Sequence, residues 1–248
     1  MIRVKAGVFN LTSPPGPGED ISSYLRWHLL DHMPEQYQLP GIVYATRWIA
    51  DAACLDARIA GSGNLERIGS IMNYLVGDPV QQTSDDFMEL GPRLAELGRY
   101  PIARPSLQLR LLALLRWYSA PRVLISAEVV PFRPHLGVLA IVEEPTSADG
   151  PGWMQWLHAK HYPLLLDVPG VAGAWMYGST GTWDLHPRYQ RNPQYITVVY
   201  LDDDALATAK ALAPLVEQRW ASGSVRPLFA GPLRSIVQWD VWPAKEAQ

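Results

Sequence analysis

The chain has 248 residues, of which 48% are hydrophobic, and it sets 21 Lys and Arg against 24 Asp and Glu for a net charge of −3. A chain of this length and composition can bury a substantial core, which excludes a disordered or fibrous protein. No block of like charges provides the electrostatic footprint of a nucleic-acid or anionic-membrane binder, so neither is an expected partner.

The opening Met1-Ile2-Arg3-Val4-Lys5 lacks a signal-peptide core, and no stretch approaches the roughly 18 apolar residues of a membrane span, so a cytoplasmic protein is expected. Residues 5–11 alternate as a strand. A Pro/Gly loop follows, and Asp20 is placed to cap a helix that should end near Met33, because Pro34 cannot continue the hydrogen-bond ladder. Pro40-Gly41 makes a turn into a β-branched and aromatic strand over 42–49, and a third strand runs over 70–76. Ser84 is placed to cap a second helix with Phe87, Leu90, Leu94 and Leu97 at helical spacing, and 111–118 reads as a fourth strand. Residues 119–134, with Pro121, Pro131 and Pro134, suit a linker, although 123–130 is apolar enough for an added strand. Beyond it come a strand at 136–142, a helix at 153–161, strands at 171–177 and 195–201, a helix at 205–220 and a last strand at 234–242.

These elements repeat. Trp27, His32, Pro34, Pro40 and Gly41 recur without a gap at an offset of 129 as Trp156, His161, Pro163, Pro169 and Gly170, and Arg99-Tyr100 matches Arg219-Trp220. Trp117 and Pro121 likewise match Trp239 and Pro243 in the last strand of each half. The expected organisation is therefore two βαββαβ units, 1–122 and 123–248. Each is the ferredoxin-like α+β arrangement, whose sheet has one face covered by helices and the other needing a cover. A second copy supplies that cover, giving a pseudo-dimeric α/β barrel expected to surround a small-molecule pocket.

An aromatic-led helix ending in His-x-Pro, followed by Pro-Gly and a strand, resembles the EthD-like proteins of the dimeric α/β-barrel superfamily. Here the carriers are Trp27, His32-Met33-Pro34 and Pro40-Gly41, then Trp156, His161-Tyr162-Pro163 and Pro169-Gly170. What the resemblance implies is this fold and a small-molecule site. Its relatives include polyketide cyclases, decarboxylases, dehydratases, metal-free monooxygenases and haem proteins, so the reaction has to be argued from the site.

Ile21, Leu25, His28 and His32 fall on one helical stripe, repeated by Met154, Leu157 and His161, which directs His32 and His161 to the mouth of a cavity as acid/base candidates. Either histidine could equally fix a helix end. His28 with His32 and His158 with His161 have metal-pair spacing, but neither pair recurs in the other copy and no carboxylate recurs with them, so no metal is expected. On the strand over 42–49, Tyr44, Thr46 and Trp48 share one face and Arg47 lies on the other. In the second copy Trp175 and Tyr177 share a face. One of these sets lines the cavity, with Trp156, Trp183 and His28 as further ligand-binding candidates. The polar segment 178–194 reads as a lid or a solvated excursion, and His161 with Asp184 or His186 is the preferred catalytic constellation.

A single Cys54 allows no internal disulfide, and no phosphate-binding, dinucleotide-binding or nucleophile-elbow motif occurs, so no cofactor is expected. Asp202-Asp203-Asp204 is explained as a helix N-cap. Ten tryptophans and eleven tyrosines against four phenylalanines suit pocket walls and an aromatic core alike. The leading reading is a cofactor-independent lyase- or cyclase-like enzyme acting on a hydrophobic, aromatic or polyketide-like molecule. The alternatives are a carrier of a small molecule or haem, and a protein-interaction module. The chain is expected as a monomeric pseudo-dimer or a homodimer.

Overall fold

The computed structural model describes residues 3–16, 18–102, 104–146, 150–183, 185 and 192–242. The first half contains strands β1 (Ala6–Thr12), β2 (Ile42–Ile49), the two-residue β3 (Ala60–Gly61), β4 (Ser70–Val76) and β5 (Ser106–Ser119). Its helices are α1 (Ile21–Trp27), α2 (Met33–Gln36), α3 (Ala52–Asp56) and α4 (Val80–Glu96). The second half contains β6 (Gly137–Pro145), β7 (Val171–Gly178), β8 (Tyr195–Leu201) and β9 (Val225–Ile236), with helices α5 (Gly150–Trp156), α6 (Tyr162–Leu166) and α7 (Ala205–Ala221).

The strand order is β2-β4-β1-β5 in the first half and β7-β8-β6-β9 in the second, the same antiparallel ferredoxin-like order twice. β5 pairs with β7, and Arg47, Trp48 and Ile49 of β2 pair with Ile236, Ser235 and Arg234 of β9, so the sheet closes on itself. The fold is the α+β pseudo-dimeric barrel, and closure removes the sheet edges at both seams.

Alternation along the strands separates two environments. Phe9, Trp48, Leu75, Trp175, Tyr177 and Tyr200 point into the barrel and belong to one core shared by both halves. Phe9 meets Tyr177 edge-on at 4.9 Å across the seam. The opposite faces carry one helix-covered core each, with Val8, Met72, Tyr74 and Val76 in the first half and Leu139, Ala174, Val199 and Leu201 in the second. Among the described residues, no helix is long and apolar enough to cross a membrane.

Several elements differ from the sequence expectation. The first helix does not stop at Met33: residues His28–His32 form a π-helical turn, Met33 N–H reaches back to His28 O, and α2 continues with Pro34 in its first turn. Leu157–His161 repeats this, with Tyr162 N–H donating to Leu157 O. A π turn absorbs the proline by shifting the ladder one residue where its missing N–H would leave a gap. Helix α4 starts at Val80, four residues before Ser84. The last strand is β9 over Val225–Ile236, not 234–242, so Trp239 lies beyond the barrel in a 3-10 turn and is 78% exposed, unlike Trp117 of β5. Pro227 and Pro232 argue against a strand there, yet a register shift between Val142 and Glu143 beside Pro227 accommodates the irregularity. Segment 123–130 is no strand, and Ala127–Phe132 forms a 3-10 helix that buries Val130.

The repeated Pro-Gly has a packing reason. A Cβ on Gly41 would lie 2.3 Å from Thr83 Oγ1, and one on Gly170, whose φ is +89°, would lie 2.5 Å from Thr208 Oγ1. In both halves the following long helix presses a threonine onto this turn, and only glycine leaves the room.

Candidate active site

An ideal α-helix turns 100° per residue, so residues four apart drift by about 40° at each step. The π turn adds backbone to one turn and offsets that drift, and Tyr24, His28, His32 and Gln36 all reach one cleft. The expected stripe through Leu25 is displaced by one residue, and Leu25 instead packs with Trp27.

This cleft, about 530 Å³, lies between the helices and the outer face of the first-half sheet. Its floor is Asn10 of β1 and Tyr74 of β4. One wall is α1 with its π turn and α2. The other is α4, where Phe87, Met88 and the Gly91-Pro92 pair face in, and Tyr100 and Arg104 close one side.

Polar groups run across the cleft in series. Tyr74 Oη stands 3.5 Å from His28 Nε2, and Gln36 Nε2 stands 3.2 Å from His32 Nε2. Trp27 stacks on His32 at 4.9 Å and Tyr100 meets it edge-on at 5.0 Å, which fixes the ring plane. His28 and His32 are 5% and 6% exposed. Burial, then the nearby Arg47 charge, pushes the His32 imidazole down to about 4, and the same two causes followed by His32 itself hold His28 well below the usual range. Both rings are neutral at physiological pH, the form that can accept a proton. Among the described residues, Asn10 Oδ1, His28 Nδ1, His32 Nδ1 and Gln36 Oε1 are buried with no hydrogen-bond partner.

The equivalent place in the second half is built differently. His161 has no exposed surface, stacks on Trp156 at 5.2 Å, and has neither ring nitrogen partnered among the described residues. Burial, then Arg219, depresses it to about 3. Beside it Arg219 donates from Nε and Nη2 to the two Glu143 oxygens at 2.8 and 2.7 Å and from Nη2 to Thr197 Oγ1 at 3.0 Å, while Trp220 Nε1 donates to Glu143 at 2.7 Å. Leu157 and Leu165 replace His28 and Gln36, so aliphatic groups and an ion pair stand where the first half is polar and open.

The other candidates are dispersed. Trp48, Trp175 and Tyr177 lie in the barrel core, with Trp175 Nε1 donating to Ala127 O at 2.9 Å. Tyr44 is half-buried against Phe132 at 5.4 Å. Trp183 packs with Leu185 against the first-half core, so the segment beyond β7 reaches across to the other half. Asp184 and His186 lie outside the described residues. Arg47 is 1% exposed on the helix-facing side of β2, behind Tyr24. Of the histidines and aromatics singled out from sequence, His28 and His32 line this cleft, whereas Tyr24, Gln36, Tyr74, Asn10, Tyr100 and Arg104 were missed. The four-residue spacing of Tyr24 and Gln36 about the histidine pair was the available signal. The remainder come from distant elements and carried none.

No family model matches the chain, and no curated protein matches it in sequence. Solved structures do match in fold. A chlorite dismutase-like protein superposes with a TM-score of 0.57 at 14% identity, covering 97% of this chain and 98% of that one. A DypB variant from Rhodococcus jostii in complex with heme gives 0.55 at 10% identity over 95% and 94%. An anthrone oxidase-like protein gives 0.54 at 12% identity over 94% and 91%. At such identities the likeness is one of fold.

Proposed function

We propose that this chain is a tandem EthD-like enzyme, its copies meeting near residue 122, that moves protons on a hydrophobic, aromatic or polyketide-like molecule without a cofactor. The observation that carries the reading is the first-half cleft, where two neutral histidines and unpartnered polar atoms are gathered between aromatic walls. A concave pocket in which polar groups and titratable side chains of shifted pKa converge is the usual form of a candidate site.

His32, with His28 beside it, is the acid/base group. Once the Gln36 amide releases Nε2, the neutral His32 imidazole takes a proton there from a C–H next to a carbonyl, the electron pair moves onto the carbonyl oxygen, and the imidazolium returns the proton to carbon or to a leaving oxygen. Tyr24 Oη already accepts from Arg47, so its own hydrogen is free to donate to the oxygen on which charge develops. Trp27 and Tyr100 hold the His32 ring, and Phe87 and Met88 exclude water. We assign His161 to packing of the second half, since proton exchange there would require its burial to open.

The test uses 2-tetralone in deuterated buffer, with exchange at its acidic carbon followed by NMR. The protein should accelerate exchange, and His32→Ala should lose about 10²–10⁴-fold of that acceleration with the fold retained. No acceleration, or full acceleration in a His28→Ala/His32→Ala double variant, refutes the reading.

Haem is the second reading, favoured by the unpartnered imidazole nitrogens of His28 and His32 in an aromatic-walled cleft, a donor set that fits it. Either histidine would hold the iron, which when bound would supply redox chemistry. A Soret band on titration with hemin, lost in the double variant, is its sign.

A further inference from the structure

Arg47 raises a question that general proton transfer leaves open. It is 1% exposed and donates from Nη1 to Ser70 Oγ at 2.9 Å and from Nη2 to Tyr24 Oη at 3.0 Å. Its guanidinium carbon stands 5.2 Å from the Tyr24 ring centre, and among the described residues no carboxylate lies within ion-pair distance of it and its Nε has no partner. In the second half the comparable need is met internally, by Glu143 against Arg219. A second cation, Arg104, stands 5.2 Å from the same Tyr24 ring centre, paired with Glu19 at 2.8 Å. Among the described residues no Asp or Glu lines the cleft. A buried cation without a counter-charge is costly, and a ligand that brings the charge relieves the cost.

We propose that the ligand of this cleft carries an anionic oxygen, a carboxylate, phenolate or enolate on an aromatic frame, seated on the Tyr24 hydroxyl with Arg47 behind it. This rests on the proposed function and narrows its substrate class. Tyr24 is the group that touches the oxygen: its Oη accepts from Arg47, so its hydrogen points to a further acceptor. Arg47 is a positioning residue acting through Tyr24. The free acceptors Asn10 Oδ1 and Gln36 Oε1 add that the same ligand bears hydroxyl donors elsewhere on its frame, as a polyhydroxylated aromatic does.

The experiment compares 2-naphthoate with 2-naphthamide, a charged and a neutral probe of nearly equal shape, by isothermal titration of the full chain. The wild-type protein should bind naphthoate at least about tenfold more tightly. Arg47→Met should bring the two affinities together, Arg47→Lys should restore part of the gap, and Tyr24→Phe should close it with the packing of the ring kept. Charge preference is a readout that a merely structural Arg47 would not move. Equal binding of the two probes by wild type, or a preference that survives in Tyr24→Phe, overturns the anionic-ligand proposal and leaves the aromatic cleft standing. Binding of neither probe overturns the cleft reading and this proposal with it.

Discussion

Arg219→Met tests how the second half is closed. The guanidinium and the Glu143 carboxylate are both fully buried and joined by two hydrogen bonds of 2.8 and 2.7 Å, with Thr197 accepting from Arg219 and Trp220 donating to Glu143, while Arg219 Nη1 has no partner among the described residues. Removing one partner strands Glu143 in a low-dielectric site with Trp220 as its remaining donor, and breaking a buried pair in this way costs about 3–5 kcal/mol. For a chain of this size each kcal/mol moves Tm by about 2–4 °C, so the expected loss is about 6–20 °C. Replacing both partners, Arg219→Met with Glu143→Leu, removes the stranded charge and should recover most of the loss. Urea unfolding of the wild type, the two single variants and the double variant closes the cycle. A single-variant cost below about 1 kcal/mol, or a double-variant cost equal to the sum of the singles, would refute the view that the pair acts as one closed unit.

Stability should fall with acid through the buried histidines. An unfolded imidazole titrates near 6.5, whereas His32 titrates at about 4 and His161 at about 3 in the folded chain. Between those values the unfolded chain binds more protons, so stability declines as pH drops below about 6.5, by up to about 3 kcal/mol for His32. His32→Phe should flatten that part of the profile in urea melts at stepped pH, and an unchanged slope counts against a neutral buried ring. Gly41→Ala should cost about 1–3 kcal/mol because the new methyl strikes Thr83 and the Gly77 carbonyl. Gly170→Ala should cost more, since it adds a left-handed backbone to the same kind of clash, and equal losses in thermal melts would contradict this account.

Much of the barrel was legible in the sequence, because strand periodicity and the 129-residue offset are local or self-comparing signals. Strand β2 was expected at its observed bounds over Ile42–Ile49, as were β4 over Ser70–Val76 and β8 over Tyr195–Leu201. Asp20 and Asp204 cap their helices as read, accepting from the backbone N–H groups two and three residues on. Strand β9 was misplaced because its prolines suppress a strand signal that pairing with β6 overrides.

The sequence by itself carried the repeated order of helices and strands and placed His28, His32 and His161 in the first helical segment of each half, while the starts of α4, β5 and β9 were set by packing. Which histidines meet a ligand was decided only by tertiary structure. His32 and His161 hold the same motif position, yet one borders a cleft and the other is sealed, because Gln36 and His28 have become Leu165 and Leu157 and because Arg219 pairs with Glu143, 76 residues away in the chain. The π turns were equally hidden: a proline announces a break, but a helix that is packed on both sides yields by one residue instead of ending. Exposure, charge balance and the emptiness of a cleft depend on partners brought together from distant strands, and no local pattern encodes them.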